Sequence, residues 1–556
     1  MTLIIPLLIV LPLVVGLGIF LAGSKGNMLV ATAVGTAAVV LLLSLLLVGQ
    51  VYTANVPDSA GGATIQPRIA YAPDWLQVHL PVSVGGHPVR WQLEFGADGI
   101  GALLVLLTGI VGLVTMSLAT IQIKERLPQY LALMLISQSM LLGVFLSMDL
   151  LSFYLFFEAV LLPLVVLING WGNRADALNA SRKFLLYTLV GSVPMVLGLI
   201  GLALMSATPD RASSISFETL SSLARETNFL AISSVASDSA SGAVATLAAK
   251  EQWIVWLLLL GFGIKLAILP LHTWLPTAYT VAHPNTTALI ASVVAKLGVF
   301  GIIRIVIPLT PIALSTYAQM LFGGLGALAI VYGALVALSQ TDLRKVLAYS
   351  SLSHVGFITL GLMSMNTEGL TGAAIQMFNH GIITCGMFLM LAMVEQRRGR
   401  LSLAEQDRGL AAVYPKLGVM MVFFTLAGAG LPGLNGFVGE VLAMTGMLRV
   451  SGFFTGIAVL GTVLGAWYGL RIVQRLLFGS VGHSHSKVAF GVTGDIQARE
   501  IVPLIAMAAV CLFIGLRPQD TIHLIEKDIA RIAAVSEPSA KAIHPEIDGL
   551  VAQTKP

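Results

Sequence analysis

Charge is scarce in this chain: of its 556 residues only 10% are Asp, Glu, Lys or Arg, where a water-soluble domain carries roughly 25%. That shortage excludes an ordinary soluble fold, which would lack the polar groups to cover its surface. Cysteine is scarcer still. Cys385 and Cys511 stand singly in separate apolar stretches, which excludes a cysteine-ligated iron–sulfur cluster within the chain and argues against a structural disulfide. No phosphate-binding loop ending in Gly-Lys and no H-E-x-x-H zinc motif occurs, so neither nucleotide nor zinc chemistry has its usual footing here.

What the chain has instead is apolar length. Mean hydropathy is +0.90, and nearly uncharged stretches recur at 2–22, 29–49, 100–121, 181–206 and 315–338, among others. Each is long enough to cross about 30 Å of hydrocarbon as a helix. The fold class expected is an all-α integral membrane protein with about 14 transmembrane helices. The first run has no basic residue ahead of it and is counted as span 1 rather than a secretory leader. More than half of the 31 lysines and arginines fall in loops after odd-numbered spans, among them Lys25, Lys124, Arg174, Arg344, Lys345, Arg397, Arg400, Arg471 and Lys487. Basic residues in short loops resist translocation, so that face is expected to be cytoplasmic and both termini outer. The net charge of +4 is spread over those loops, a pattern that needs a lipid bilayer as partner and no nucleic acid.

Two spans are interrupted by glycine and proline: G-F-G-I-K-L-A-I-L-P-L-H-T-W-L-P at 261–276 and L-A-G-A-G-L-P-G-L-N-G-F-V-G-E-V-L at 426–442. Proline inside a bilayer helix frees a carbonyl that only neighbouring protein or a wet cavity can satisfy. Both are therefore expected to be discontinuous helices beside an internal pathway. Grouping spans 4–8 and 9–13 puts the breaks in spans 7 and 12, the fourth member of each group, and a unit with an odd number of spans returns inverted, which gives two inverted five-helix repeats. The expected divisions are 1–121 for spans 1–3 with an outer-face insert at 50–98, 122–310 for the first repeat with an insert at 207–252, 311–478 for the second repeat, and 479–556 for span 14 and an outer-face tail. The 207–252 insert, rich in Ser, Ala and Thr, reads as a surface loop. The tail sequence I-H-L-I-E-K-D-I-A-R-I-A-A-V reads as a short amphipathic helix.

An ionisable group in hydrocarbon costs at least roughly 2.5 kcal/mol, so each one needs a partner, water or a function. Glu158 on span 5, Lys265 on span 7, Lys296 on span 8 and Glu440 just past the break in span 12 are such groups. Lysine and carboxylate taken out of water exchange protons near neutrality, which is what a relay requires and what arginine cannot do. Arg304, near a span end, is expected to snorkel to an interface. His272, seven residues after Lys265 and about two helical turns along one face, joins His354 in Y-S-S-L-S-H-V-G-F and His380 in M-F-N-H-G-I-I-T as further candidates. Ser350, Ser351, Ser353 and Asn379 supply hydrogen-bonding partners. The expected order is Glu158 with Lys265, then Lys296, then His354 and His380, then Glu440. The plainer alternatives are that the histidines merely tie helices together, that Lys265 sits in a static ion pair, that Glu440 caps the restarted half-helix, and that Asp149 caps a span.

Through G-F-G-I-K-L-A-I-L-P-L-H-T-W-L-P, S-S-L-S-H-V-G-F, Q-M-F-N-H-G-I-I-T and L-P-G-L-N-G-F-V-G-E, the chain resembles the subunit M (chain 4) family of proton-translocating NADH:quinone oxidoreductase, respiratory complex I, over about spans 3 to 13. The resemblance implies an antiporter-like subunit in which Glu158 modulates Lys265 while Lys296 and the histidines form a central hydrophilic axis. It also implies no cofactor in this chain, with NADH, FMN, iron–sulfur clusters and quinone in partner subunits. It further implies L-type and N-type antiporter-like neighbours and a bacterial inner membrane. The L and N relatives usually carry lysine where Glu440 stands, which favours M. The family commonly continues W-L-P with D-A-H, whereas this chain has Thr277, Ala278 and Tyr279 and then, from His283, H-P-N-T-T, so the family's entry route near 277–284 is not carried over to this chain. The alternatives are a cation/proton antiporter subunit or a hydrogenase membrane arm using the same residues, and a purely structural anchor that would have no use for buried charge.

Overall fold

Peptide groups that meet no water in hydrocarbon must close their hydrogen bonds locally, and a helix does so within one segment. Among the described residues, the computed structural model contains twelve helices long and apolar enough to cross a membrane, from Ile4–Ala22 to Ala498–Leu516. It describes residues 3–23, 26–54, 65–73, 77–84, 87–173, 175–206, 215–235, 241–403, 408–479 and 494–543.

Both glycine- and proline-bearing segments are interrupted. Ser241–Leu266 gives way to Trp274–Val281, and Pro415–Gly428 to Asn435–Leu448. Pro270 has no N–H for the Leu266 carbonyl, so the first helix cannot run through it. The chain stops ahead of it in a Schellman turn, with Ala267 N–H donating to Ile264 O at 3.1 Å and Ile268 N–H to Gly263 O at 2.9 Å. The second break ends the same way, with Gly430 N–H to Ala427 O at 3.4 Å and Leu431 N–H to Leu426 O at 3.1 Å.

The helices are layered by polarity. Pro284–Leu309 and Thr367–Arg398 are wholly enclosed by protein, and Leu127–Leu146 and Leu343–Met363 nearly so. Ile4–Ala22, Asn27–Thr53, Gly452–Leu477 and Ala498–Leu516 are mostly exposed, and they present leucine, valine and tryptophan outward, as at Leu46, Val463 and Trp467. Lipid is the solvent those faces suit, and the polar residues collect on the enclosed helices. Backbones touch where Gln319–Ser339 crosses Leu343–Met363: a methyl group on Gly356 would stand 2.7 Å from the Gly326 carbonyl oxygen, the close approach that glycine permits between membrane helices.

Four expectations change. Within the helical fold, the 50–98 insert forms two small antiparallel pairs, Ile69–Tyr71 with Phe95–Ala97 and Gln77–Val84 with His87–Gln92. The 207–252 insert is no simple loop: Phe217–Val235 is a helix, because Phe217 and Leu220 fall one turn apart and bury together, Phe217 against Phe153 at 6.2 Å. Residues 207–214 and 236–240 of that insert lie outside the described residues, as do Lys25, Arg174 and Lys487. Arg304 does not snorkel; its helix has no lipid-facing side, so it is fully buried and paired with Asp98. The tail helix is long, Pro518–Ile543, and is packed down through Leu524, Ile525, Ile529 and Ile532.

Asp528 is drawn inward in the middle of that tail helix. It accepts the Gly99 N–H at 2.7 Å and pairs with Arg68 at 2.8 Å, next to Asp98, which caps Gly99–Gln122 through the Gly101 N–H at 2.8 Å. Burial, reinforced by the Asp98 charge, outweighs the arginines and pushes the Asp528 carboxyl up to about 7. Because the docked group holds its proton more tightly than an unfolded carboxyl of about 3.9, docking is strongest below that lower value and weakens as pH rises through about 7. Amide hydrogen exchange across Pro518–Ile543, corrected for intrinsic rates, should show higher protection at about pH 5 than at about pH 8. Asp528→Asn should flatten the difference. Equal protection at both pH values in the unmodified chain would remove Asp528 as the cause.

Candidate functional site: a buried polar chain

Lys296 sits where the enclosed helix loses regularity. Pro284–Ser292 ends at Val293, and Val294–Lys296 forms a tight turn with Lys296 N–H donating to Val293 O at 3.0 Å. Two adjacent valines, stiff at the first side-chain torsion, are a weak sequence signal for this. The distortion matters because the last-turn carbonyls of a helix have no partner within it. The Lys296 ammonium uses one of them, Ala291 O, at 2.6 Å, and stands 2.6 Å from His380 Nδ1.

From His380 the chain of contacts continues. Its ring lies 5.5 Å from that of His354, tilted by 49°, and its Nε2 has no hydrogen-bond partner among the described residues. His354 Nδ1 meets Glu440 Oε1 at 2.9 Å, and Gln376 donates to the same oxygen at 3.3 Å. Glu440 therefore does not cap its helix; it lies beyond the first turn and faces His354. Asn379 and Asn435 clamp this end: Asn379 Nδ2 donates to Asn435 O at 2.6 Å and Asn435 Nδ2 to Asn379 Oδ1 at 3.2 Å. That clamp fixes the restart of the broken helix against Thr367–Arg398, and so fixes Glu440.

The other end is more loosely joined. Lys265, buried in the last turn of Ser241–Leu266, donates to Phe157 O at 3.0 Å with the Phe157 ring 4.0 Å from its ammonium. Phe157 O is again a last-turn carbonyl, since Leu150–Ala159 ends four residues ahead of Pro163, which has no N–H to offer the Ala159 carbonyl. Glu158 is near enough to feel the Lys265 charge and has the Ser192 hydroxyl beside it, and among the described residues no ion pair joins it to Lys265. His272 does not share a helical face with Lys265, because the helix ends at Leu266 before the spacing can apply. Its ring packs edge-on against Tyr332 at 5.4 Å, apart from the other candidates. Asp149 caps Leu150–Ala159 through the Ser152 N–H at 2.8 Å, as expected.

Sequence reading passed over Tyr468. Its hydroxyl lies 2.8 Å from Ser350 Oγ and 3.3 Å from His354 Nε2; a buried phenol needs such a partner, but nothing in the sequence marks this tyrosine as buried. It also passed over a cavity of about 600 Å³ at the face bearing Lys124, Arg344 and Arg400, which reaches His283 and Glu395. Arg344 ties the altered 277–284 segment there, donating to Thr280 O at 2.9 Å and Ala282 O at 3.0 Å. Among the described residues no group of His, Cys, Asp and Glu is placed to hold a metal ion.

An enclosed row of lysine, histidines and glutamate beside two interrupted helices defines a class, the antiporter-like membrane subunits. Residues 147–465 match the family described as NADH:quinone oxidoreductase/Mrp antiporter, transmembrane, and the chain belongs to it. It is 33% identical over 439 residues to NADH-quinone oxidoreductase subunit M of Rhodobacter capsulatus, covering 79% of this chain and 81% of that protein. It is 32% identical over 432 residues to NADH-ubiquinone oxidoreductase chain 4 of Chondrus crispus, covering 77% and 81%. In the solved structure of respiratory complex I from Thermus thermophilus with bound NADH, a chain 29% identical superposes with a TM-score of 0.76, covering 97% of this chain and 99% of that one. The Mrp complex from a Dietzia species, at 19% identity and a TM-score of 0.72 over 99% of both chains, shares the fold.

The stop that holds Lys265 in place is built on Ala267, a non-glycine residue at φ 60°. That conformation costs roughly 1 kcal/mol for an alanine. Ala267→Gly should raise stability by about that amount and leave the position of Lys265 unchanged, whereas Ala267→Val, with a branched side chain in the same backbone, should lower it. Thermal unfolding of the detergent-solubilised protein checks both, and an unchanged midpoint in the glycine variant would show that the turn is unstrained.

Proposed function

We propose that this chain is the antiporter-like, proton-translocating membrane subunit of an NADH:quinone oxidoreductase, coupling quinone reduction elsewhere in the complex to proton pumping. The observation that carries the reading is the succession Lys296, His380, His354 and Glu440, side chain to side chain, with Lys296 and His380 on helices wholly enclosed by protein and Glu440 itself buried. Ionisable groups are retained at such depth only against a cost. Protonation of one member changes what its neighbour can donate or accept, which is the requirement for passing a proton along a fixed row.

In this reading Glu158 biases Lys265 across a gap rather than by direct pairing, and loss of a proton from Lys265 is taken up toward Lys296 and the histidines. Glu440 passes it outward or to an adjacent subunit. His272 is left with a supporting place at the first break. Counting each interrupted pair as one span gives about 14 spans, and the matching Schellman stops support two inverted units over 122–310 and 311–478, after spans 1–3 in 1–121 and before span 14 and the tail in 479–556. The chain's share in catalysis is that of a translocase subunit, carrying no redox centre of its own; NADH, FMN, iron–sulfur clusters and quinone are assigned to partner subunits. Its neighbours are the other membrane subunits, L-type and N-type among them, in a bacterial inner membrane with both termini on the outer face.

The test is proton pumping measured beside quinone-reductase activity in membranes from a Lys265→Ala strain, with assembly followed on a native gel. Loss of both activities in an assembled complex is expected. Wild-type pumping and turnover would sink the relay and favour a structural anchor.

A further inference from the structure

We propose that Tyr468 and Ser350 form a side branch that loads His354 with protons from the basic face of the subunit; this rests on the relay reading above. The geometry begins at His354, whose two ring nitrogens are committed in different directions. Nδ1 faces Glu440 at 2.9 Å and Nε2 faces the Tyr468 hydroxyl at 3.3 Å. Tyr468 in turn meets Ser350 Oγ at 2.8 Å. An imidazole bridged in this way accepts a proton on one nitrogen and gives one up from the other without moving.

The branch leads to a cavity. A space of about 40 Å³ is bounded by His354, Ser350, Ser351, Thr384 and Tyr468; a water needs about 10–15 Å³ and two to four polar partners, and the hydroxyls and imidazole supply them. The cavity also touches Leu347, one turn inside the start of Leu343–Met363, and Ile472, the last residue of Gly452–Ile472. Those helix ends carry Arg344, Lys345, Arg471 and Arg475, so the branch points to the face bearing the basic loops. Glu440 lies on Asn435–Leu448, whose far end carries Arg449, and so continues toward the opposite face. The branch and the Glu440 arm are joined through hydrogen bonds at His354.

The transfer conserves protons at each step. A hydronium in the cavity gives a proton to Ser350 Oγ as the Ser350 O–H proton passes to the Tyr468 oxygen, the Tyr468 O–H bond breaks and a new N–H bond forms at His354 Nε2. Water and an intact phenol remain, and His354 becomes the imidazolium that donates from Nδ1 toward Glu440. Phenol and serine hydroxyls suit this task because each both donates and accepts.

The experiment places Tyr468→Phe, Ser350→Ala and the double variant in the assembled complex, with His354→Ala as the reference, and measures pumping, quinone-reductase turnover and the solvent deuterium isotope effect. Each single variant should slow turnover by about a hundredfold or more, the scale of losing one positioned proton-transfer group, with an increased isotope effect, and the double variant should be no worse than either single one because both act on one branch. Wild-type turnover in Tyr468→Phe while His354→Ala is inactive would overturn the branch and spare the relay; wild-type turnover in His354→Ala as well would overturn both. Slowed turnover with an unchanged isotope effect and additive losses would also overturn it, leaving Tyr468 a packing residue.

Discussion

An ammonium group cannot be left without acceptors in a low-dielectric interior, and the way this chain meets that constraint shapes the rest of its membrane region. Both buried lysines are satisfied by main-chain carbonyls rather than carboxylates. Lys296 uses Ala291 O and Lys265 uses Phe157 O, and each carbonyl lies in the last turn of a helix that stops early. Interrupted helices are therefore part of how the charges are accommodated. A straight Pro284–Leu309 would offer Lys296 no carbonyl of its own helix.

Neutral acceptors also decide what such a lysine can do. A carboxylate in direct contact would bind the ammonium strongly and hold its proton in place; a carbonyl solvates it and leaves the proton available. Carboxylates are paired directly with arginines elsewhere: Arg304 with Asp98, Arg397 with Glu500 at 2.7 Å, Arg344 with Glu395. These stand near helix ends and join segments far apart in sequence, and arginine never gives up its proton at accessible pH. Fixed charge therefore pins the ends, and exchangeable groups occupy the middle.

The two helix interruptions and the ionisable residues beside them were legible in the sequence because proline, glycine and buried charge act locally: Pro270 removes a donor whatever surrounds it. The partners were not legible. Nothing near Phe157 marks its carbonyl as the acceptor for a lysine 108 positions away, and Asp98 and Arg304 meet only once the Pro284–Leu309 helix is enclosed. His272 misled because seven residues make two turns only while a helix lasts. Tyr468, set among Trp467 and Gly469 in an outward-facing helix, looks like packing until Ser350 and His354 are placed opposite its hydroxyl. The 207–252 insert was read from composition, whereas its helix depends on where Phe217 docks.

The two interruptions share one stop geometry but hold opposite charges, and helix polarity accounts for the difference. Lys265 lies before its break, in the last turn of Ser241–Leu266, where carbonyl ends favour a cation. Glu440 lies after its break, in the half-helix beginning at Asn435, whose amide end favours an anion, though from the second turn and so more weakly. The weaker field leaves Glu440 dependent on side chains, and His354 and Gln376 supply what the helix end does not. A lysine at position 440 would face an amide-rich helix start and an imidazole, with no carbonyl made available to it. Each ionisable residue in this chain thus stands on the side of its break where the helix end favours its charge.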